Sequence, residues 1–492
     1  MKVQAENGKV PTDSDAVAFT EVPFNGNSDD AEHSRMLAEF VSGLRFGDLP
    51  ESVIDRAQKA FVDWFACALA GRGARPVEIL EKFAANMGPA DGPCEILVSR
   101  RRTSAYFAAL VNGAASHIIE LDDIHGGAIL HPGVAVFPAV FAAALERNAS
   151  GREFLTAVVA AYETTIRVGE FLGPTHYKFF HVTGTAGTVG AAAGVSRLLG
   201  LDTRKTQHAF GSAGTQAAGL WEFLRDAADS KPLHAGMAAS KGLMSAYLAK
   251  DGFTGATRIL EGAKGMSAGM SGTGQPAKLS NGLGTRWAIL ESAFKVHSCC
   301  GHTHPAADAL LEVMRREKLS AERIKRVTAH VHGPAMEVLG GITKPETLHQ
   351  AKFSMNFVLA LIALYGRAGL GEFTESALSD PRIGEFLERV DMVFDPQIDN
   401  ASGNRWGGYV VVETVDGRRL EGRVVVPKGQ PEDTLKRDEV EAKLMQLGAY
   451  ASGATNYELK RFVEAAWQLP SQRDLSNFVL TPKPSAIVES RS

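Results

Sequence analysis

The chain has 492 residues, of which 45% are hydrophobic and 22% are charged, and its net charge at pH 7 is −4. This composition is ordinary for a soluble globular protein, and the absence of excess basic charge argues against nucleic acid as a partner. A chain of this length is too long for one simple core, so two domains are predicted.

The cysteines and the N-terminal residues indicate where the protein works. Four cysteines in a chain of this size do not make a disulfide framework, and Cys299 and Cys300 are adjacent. We therefore expect a reducing, cytoplasmic setting. The N-terminus lacks the basic-then-apolar pattern of a signal peptide, and no apolar run is long enough for a membrane span. Residues 1–32 are polar, and we expect them to form a disordered tail.

The first domain, residues 33–291, is predicted to be almost wholly helical, apart from a short strand at 94–99. Apolar residues recur at helical spacing, and proline and glycine mark several helix ends. The predicted helices are 34–47, 50–69, 76–87, 104–119, 134–145, 151–167, 181–194, 203–216 and 235–249.

The helix that begins at His181 is rich in glycine and alanine, which recur every three or four residues up to Gly194. Small residues at this spacing allow helices to approach each other closely. A phosphate-binding loop is the competing interpretation, but it needs a preceding strand and, in one version, a terminal lysine. The sequence has neither, so close helix packing is predicted.

Residues 292–428 change in character and predict a smaller α+β domain. Its predicted strands are 327–332, 393–394, 406–414 and 419–426, and its predicted helices are 305–316 and 354–363. Asp416-Gly417 is a turn signal, so the last two strands should form a hairpin. The final segment, 429–492, returns to helix at 432–447 and 457–467, and these helices could pack on the first domain.

A dense polar stretch, Glu120 to His131, lies between two apolar helices and holds three carboxylates and two histidines within twelve residues. Burying such a cluster is unfavourable unless its members pair or meet a ligand. Pro132 and the preceding glycine pair predict a helix end and loop, where side chains can converge. In the alternative, Glu120 and Asp123 cap helices or pair with arginine, and His125 is a solvated loop residue.

A second polar stretch, Lys295 to His304, begins the second domain and is dense in groups that bind anions or move protons. A zinc site is one alternative, but Cys299, Cys300 and the two histidines that follow are too close along the chain for one undistorted tetrahedral site. A surface loop with incidental polar residues is the other.

Two further residues lie at helix boundaries. His181 begins a helix, whose N-terminus favours anions, and Lys231 precedes a helix rich in glycine and alanine. Each has a structural alternative, a capping or core histidine and a solvated lysine. Together, two lysines, several histidines and the acidic groups suit a substrate with several carboxylates, because lysines hold carboxylates and histidines transfer protons.

Five separated motifs, spread in family order over most of residues 35–430, resemble the MmgE/PrpD family. That family contains 2-methylcitrate dehydratase, cis-aconitate decarboxylase and iminodisuccinate epimerase. The motifs are Glu120-Leu-Asp-Asp with Leu130-His131, Phe180-His181 with Gly187-Thr-Val-Gly190-Ala-Ala-Ala, Lys231-Pro-Leu-His234, Phe294-Lys295 with Cys299-Cys300-Gly and His304, and Ala351-Lys352-Phe353-Ser354. The resemblance implies a mainly α fold, in which both chain ends build a large all-helical domain and an α+β lid is inserted. It also implies a homodimer and cofactor-free chemistry in the cleft between the domains.

The resemblance also assigns residues. The family's acidic position, its two histidines and its two lysines fall on Glu120, His131, His181, Lys231 and Lys295. The position before the lid motif's glycine is histidine in some decarboxylases and Cys300 here. A tyrosine that follows the Lys-Phe-Ser motif in some members is replaced by Phe357. The Glu-Leu-Asp-Asp-x-His and Cys-Cys-Gly forms are similar to those of fungal decarboxylases.

The sequence therefore predicts a cofactor-independent lyase, without a metal, that acts on a small di- or tricarboxylic acid at the carbon next to a carboxylate. Lys231 and Lys295 would clamp carboxylates and stabilise enolate-like charge. His131 and His181 would be the acid and base, and Glu120 would orient His131 or a water. The residues expected to line the substrate pocket are Asp122, Asp123, His125, Cys300, His302 and Phe357.

Elimination of water, as in 2-methylcitrate dehydratase, is the lead reaction that the sequence predicts. Decarboxylation of the cis-aconitate type and epimerisation of the iminodisuccinate type are alternatives on the same frame, and a non-catalytic carboxylate-binding protein is a further one. An iron–sulfur cluster would need three or more well-separated cysteines, which this sequence does not supply.

Overall fold

The structure is a computed structural model that describes residues 32–226, 228–401 and 407–481. The segment expected to form a disordered tail, residues 1–32, lies outside the described residues except for Glu32. As predicted, the described chain is mainly helical with a smaller α+β part. None of its helices combines the length and the apolar character needed to cross a lipid bilayer.

The large helical part is built from helices that bury nearly all of their apolar side chains. They are α1 His33–Gly43, α2 Glu51–Ala70, α3 Arg75–Met87, α4 Ala105–Ile118, α5 Gly133–Arg147, α6 Gly151–Tyr177, α7 Val182–Leu198, α8 Thr203–Gly214, α9 Phe223–Asp226, α10 Ser230–Lys250, α11 Met266–Met270 and α12 Ala277–Ser280. Two short antiparallel strand pairs accompany them, β1 Cys94–Ile96 with β2 Arg101–Thr103 and β3 Ile124–His125 with β4 Ser292–Ala293.

The glycines of α7 allow it to pack closely against α5 and α6. A Cβ at Gly190 would lie 1.7 Å from Thr165 Oγ1, and one at Gly194 would lie 2.6 Å from Val140 and 2.7 Å from Ala161. No side chain fits at these distances, so only glycine permits the approach. The repeat of small residues is a helix-packing feature, as predicted.

The inserted α+β part follows β4. Its elements are α13 His304–Arg316, β5 Ile324–Val331, α14 Gly333–Leu339, α15 Leu348–Lys352, α16 Met355–Tyr365, α17 Glu375–Leu378, α18 Pro381–Leu387, β6 Val390–Phe394, α19 Pro396–Ala401, β7 Gly408–Thr414 and β8 Arg419–Val424. The strand order is β6-β5-β7-β8, with β5 and β6 parallel and the other pairs antiparallel. The predicted hairpin turns at Asp416-Gly417, where Gly417 has a φ of +84°.

The chain returns to the helical part through α20 Arg437–Ala449 and α21 Asn456–Trp467. Phe462 of α21 stacks on Phe65 of α2, with ring centroids 3.8 Å apart. One apolar core joins residues 37–294 and 370 to residues 435–478, and a second core lies within residues 299–412. Both chain ends therefore build the helical part, and the α+β part is inserted between them. The predicted boundaries at residues 292 and 428 stay predictions.

Two local features differ from the sequence prediction. Helix α10 begins at Ser230 rather than Ala235, so Lys231 lies in its first turn and His234 in its second. Pro232 fits there because the first turn of a helix does not need its N–H. The strand pair β3–β4 was not predicted, since two-residue strands carry no periodic signal. It matters for the site, because Ile124 pairs with Ala293 and so brings the two polar stretches together.

Candidate active site

The C-terminal end of α4 is where the two polar stretches meet. Ile119 O accepts hydrogen bonds from Ser298 Oγ at 2.6 Å and from Lys352 Nζ at 2.9 Å. Glu120 O accepts one from Lys295 Nζ at 3.1 Å. Glu120 has a φ of +59°, in the left-handed region that residues other than glycine rarely adopt. Donors from the inserted part therefore hold the turn that presents Glu120, and the cations among them suit the helix C-terminus.

The Glu120 carboxylate lies between two buried lysines. Lys231 Nζ donates to Oε1, and Lys295 Nζ lies 3.3 Å from Oε2. Burial alone would raise the carboxyl pKa, but the two ammonium groups outweigh it and hold the pKa of Glu120 well below its ordinary value. Burial likewise opposes the charge of Lys295, but Glu120 and Asp122 raise its pKa. The site therefore holds an ionised carboxylate with its cations already in place.

His131 has a defined tautomer. Its Nδ1 lies 3.0 Å from Asp122 Oδ2 and 2.9 Å from the backbone oxygen of Asp123. Both neighbours are acceptors, so Nδ1 carries the proton and Nε2 keeps its lone pair. Burial lowers the pKa of His131 to about 4, although Asp122 acts against this shift. His131 is thus a neutral imidazole with Nε2 ready to accept a proton.

Asp122 orients a second imidazole as well. Its Oδ2 accepts from His117 Nδ1 at 2.8 Å, from the last turn of α4. Burial would raise the pKa of Asp122, but His131 and His117 hold it well below its ordinary value. The His117 ring stacks on His181, with centroids 5.4 Å apart and planes 12° apart. His117 therefore connects the carboxylate behind His131 to the second predicted histidine.

His181 is the N-cap residue of α7, which confirms that it begins a helix. Its Nδ1 lies 3.3 Å from Nδ1 of His234, while its Nε2 is buried and has no hydrogen-bond partner among the described residues. The Trp221 ring lies 4.9 Å from the His181 ring. Burial, reinforced by the charges of His117 and Lys231, holds the pKa of His181 well below its ordinary value. His181 is therefore a second neutral imidazole.

One small cavity, which we call the inner cavity, lies between the helical part and the inserted part. The sequence-predicted residues in its walls are Glu120, His131, His181, Lys231, Lys295, Cys300 and His302. Burial raises the pKa of the Cys300 thiol, which therefore stays protonated. The inner cavity has a volume of about 30 Å³, the space of roughly one water molecule. A carboxylic acid can enter only when side chains or the inserted part shift.

Asp122 and Asp123, expected to line the substrate pocket, do not line the inner cavity. Asp122 lies behind His131. Asp123 Oδ2 accepts from the Tyr162 hydroxyl at 2.7 Å, and Oδ1 accepts from the Gly133 N–H at 2.9 Å. Burial raises the pKa of Asp123 to about 7, although the Tyr162 hydrogen bond acts in the other direction. The two aspartates therefore support the loop and the histidine instead of facing the cavity.

His125 and Phe357 also lie outside the inner cavity. His125 Nδ1 accepts from the Ala128 N–H at 3.1 Å, and its Nε2 lies 3.5 Å from Glu291. Phe357 is buried in the core of the inserted part, 5.9 Å from Phe373 between ring centroids. The location of Phe357 on α16 directs its ring into that core. The motif shows where Phe357 lies along the chain but not which way its side chain points.

Three residues at the site, His117, His234 and Lys352, were not predicted to have a role. His117 is a lone histidine in a nearly all-apolar helix, and its place three residues before Glu120 was an available signal. His234 and Lys352 belong to quoted motifs. Burial lowers the pKa of His234 to about 4 and that of Lys352 to about 8, although Glu120 acts against the second shift.

The charges at the site favour an anionic ligand. Lys231 and Lys295 share the carboxylate of Glu120, and Lys352 Nζ donates to the backbone oxygens of Ile118 and Ile119. Buried positive charge is unfavourable unless it is paired. An organic acid brings carboxylates that can pair with these lysines.

Two groups of potential metal ligands come together in the described part of the chain. His117, Asp122 and His131 form one, and His125, Glu170 and Glu291 form the other. In the group of His117, Asp122 and His131, the ligand atoms are close together because both histidines hydrogen-bond to Asp122. In the second, Arg286 pairs with both glutamates, at 2.6 Å in each case, and so supplies the cation. Cys299, proposed as an alternative zinc ligand, contacts Thr303 Oγ1 at 2.9 Å.

Comparisons with known proteins show which family the chain matches. The model of the MmgE/PrpD N-terminal domain matches residues 35–279, and that of the MmgE/PrpD C-terminal domain matches residues 297–469. The chain is similar to the cis-aconitate decarboxylase-like protein oryM of Aspergillus oryzae, with 29% identity over 466 residues, which covers 90% of this chain and 95% of the relative.

Two relatives named cis-aconitate decarboxylase are also similar. The protein of Aspergillus terreus is 26% identical over 419 residues, which covers 80% of this chain and 85% of the relative. The protein of Homo sapiens is 28% identical over 422 residues, with 82% and 85% covered.

Proposed function

Because the chain belongs to the MmgE/PrpD family, we propose that it is a lyase of small polycarboxylic acids, and that its lead reaction is decarboxylation of an unsaturated tricarboxylate of the cis-aconitate type. One observation carries the proposal. Lys231 and Lys295 meet on a single carboxylate, inside a cavity that His131 and His181 also line. The names of the similar proteins support decarboxylation ahead of the elimination of water that the sequence had placed first.

In the proposed complex, substrate carboxylates take over the contacts that Glu120 makes with the two lysines. Both lysines are already buried and paired with a carboxylate, so little reorganisation is needed when a substrate carboxylate arrives. Glu120 moves aside and lines the pocket. This exchange accounts for the small volume of the inner cavity without substrate.

In the reaction, the bond between one carboxylate carbon and its neighbour breaks, and CO₂ leaves from the carbon next to the double bond. The double bond shifts, and the electron pair collects at a carbon beside a retained carboxylate. The negative charge spreads onto the oxygens of that carboxylate, where Lys231 and Lys295 stabilise it. One proton then adds to the carbon, so the step consumes one proton and releases one CO₂.

His131 supplies that proton. A bound polyanion raises the proton affinity of a neighbouring imidazole, because opposite charge favours the imidazolium form. A proton taken up on Nε2 faces the cavity, while Nδ1–H stays on Asp122 and the Asp123 carbonyl. Asp122 thus stabilises the charged ring during transfer. His181 is the second imidazole that lines the cavity and completes the acid–base pair.

Elimination of water is the second candidate, and the tautomer of His131 favours it. The bare Nε2 of the neutral ring is suited to remove a proton from the carbon next to a carboxylate, which is the first step of dehydration. Epimerisation begins with the same proton abstraction.

The test is incubation of the purified full-length protein with cis-aconitate, 2-methylcitrate, citrate and iminodisuccinate in D₂O, followed by NMR and CO₂ detection. We expect CO₂ release with one deuterium in the product. Net loss of water would support the second candidate, and exchange without net product would support an epimerase. Binding without exchange or turnover would contradict a lyase and leave a carboxylate-binding protein. In the active case, His131→Ala should lower turnover by about 10²–10⁴-fold.

A further inference from the structure

A second cavity, which we call the outer chamber, adjoins the inner cavity and has a volume of about 660 Å³. Its walls come from the end of α6, the segment that leads into α9, and α14. The inner cavity holds only about 30 Å³. A substrate larger than a compact acid therefore finds space toward the outer chamber.

Three side chains line both cavities, and we call them the neck: Tyr177, Trp221 and Val338. The Tyr177 and Trp221 rings meet edge to face, with centroids 5.3 Å apart. The backbone N–H of Trp221 donates to Phe179 O at 3.1 Å, which anchors the backbone of the neck. Burial raises the pKa of the Tyr177 hydroxyl, so the neck carries no charge at neutral pH.

The two cavities differ in chemistry. The inner cavity holds the lysines and imidazoles, whereas the outer chamber carries apolar side chains, including Phe179, which is 67% exposed, and Leu220, which is 57% exposed. Exposed apolar groups beside a binding cavity favour an apolar occupant, because covering them removes their surface from water. Charged side chains such as Lys178 and Glu337 also line the outer chamber.

We infer that the site takes a polycarboxylate with an apolar substituent, whose carboxylates lie in the inner cavity and whose alkyl chain passes the neck into the outer chamber, and that Trp221 is a specificity-determining residue. That such an acid is also a substrate rests on the proposed function. That the acid binds rests only on the two cavities. The buried Trp221 Nε1–H has no hydrogen-bond partner among the described residues. A buried indole N–H usually finds one, and because Trp221 also lines the inner cavity, a substrate carboxylate bound there supplies it.

The competing interpretation is that the outer chamber is only the entrance to the inner cavity. An entrance would be passed by every substrate and left empty, so an alkyl chain would add no affinity. A chamber that holds the chain gains affinity with each buried methylene, about two- to fourfold per group. The dependence of affinity on chain length therefore separates the two interpretations.

The experiment is calorimetric titration of the full-length protein with succinate, propylsuccinate and hexylsuccinate. We expect the wild-type Kd to fall by about two- to fourfold per methylene, and Trp221→Ala to reduce this gain by at least half. Trp221→Phe is the matched control, because it keeps an aromatic wall and should keep the chain-length dependence. Val338→Ala tests the opposite wall if Trp221→Ala does not fold.

A wild-type Kd that does not change with chain length would overturn the inference, as would an undiminished gain in both Trp221→Ala and Val338→Ala. These outcomes are distinct from failure of the proposed function. A protein that binds hexylsuccinate tightly but converts none of the acids tested would contradict the lyase and retain the inference.

Discussion

Asp122 determines which nitrogen of His131 is available for chemistry. The carboxylate and a backbone carbonyl both bind Nδ1, so the free nitrogen is Nε2. The sequence shows that His131 follows several acidic residues along the chain, but it does not show which of these carboxylates contacts the imidazole ring. Here the acid beneath the ring is Asp122, while Asp123 next to it supports the loop.

Asp122→Asn should lower kcat by about 10²–10⁴-fold and change KM much less, because an amide no longer holds the required tautomer of His131. The measurement is steady-state kinetics with the acid that the wild-type protein converts. Asp433→Asn, an exposed site on the inserted part's return segment, is the control and should leave both constants unchanged. A kcat near the wild-type value in folded Asp122→Asn would contradict the assigned role.

Glu120→Gln should destabilise the protein by roughly 3–5 kcal/mol, because Lys231 and Lys295 then remain buried without their counter-charge. Citrate should raise the thermal midpoint of this variant more than that of the wild type, since its carboxylates replace the missing one. Differential scanning fluorimetry with and without citrate measures both effects. The exposed Glu312→Gln is the control. An equal citrate effect in both proteins would contradict the proposed exchange.

At the scale of elements, α20 joins the C-terminal end of the chain to the candidate site. Lys443 Nζ lies 2.6 Å from Asp63 Oδ1 on α2, and it donates to Leu121 O at 2.7 Å and to Lys295 O at 2.9 Å. One ammonium group thus holds α2, the loop after Glu120 and the backbone at Lys295. Burial raises the pKa of Asp63, an effect that Lys443 opposes.

Lys443→Met should lower the stability by about 3–5 kcal/mol, because it leaves Asp63 buried without a partner and frees both backbone carbonyls. The midpoint of urea unfolding measures the change. Lys460→Met is the matched control, since Lys460 is exposed on α21 and should shift stability by less than about 0.5 kcal/mol. Wild-type stability in Lys443→Met would show that α20 does not hold the site.

At the scale of the whole molecule, buried neutral histidines make stability depend on pH. Mainly because they are buried, His131, His234 and His349 have a pKa lowered to about 4, and His302 has a pKa lowered to about 3. Between pH 6.5 and 4 the unfolded chain binds protons that the folded protein does not, so stability falls on acidification. Asp123 and Glu163 act in the opposite sense, because burial raises each carboxyl pKa to about 7.

The histidines outnumber these two carboxyls, so the thermal midpoint should be lower at pH 5 than at pH 7, by about 3 °C or more. Circular dichroism melts at constant ionic strength measure the difference. His349→Asn removes one of the groups and should show a smaller fall. A midpoint that is unchanged or higher at pH 5 would contradict the assignment of neutral buried histidines. The homodimer and the cytoplasmic location stay predictions at this scale.

The amino-acid sequence by itself determined the helical class, the inserted α+β part, the Asp416-Gly417 hairpin and the glycine-dependent packing of α7. Each depends on spacing or turn chemistry within a short segment, and such signals are local. The sequence also predicted seven of the fourteen residues that line the inner cavity, six of them in motifs that resemble one family.

Only the tertiary structure decided which of these groups touch each other. Glu120 meets Lys231 and Lys295 across 111 and 175 residues of chain, and no local pattern encodes such a pairing. The strand pair β3–β4, the shared role of Asp122 and the position of Phe357 in a core likewise arise when remote elements pack. The outer chamber and its neck exist only between elements, because their walls come from α6, the segment before α9 and α14.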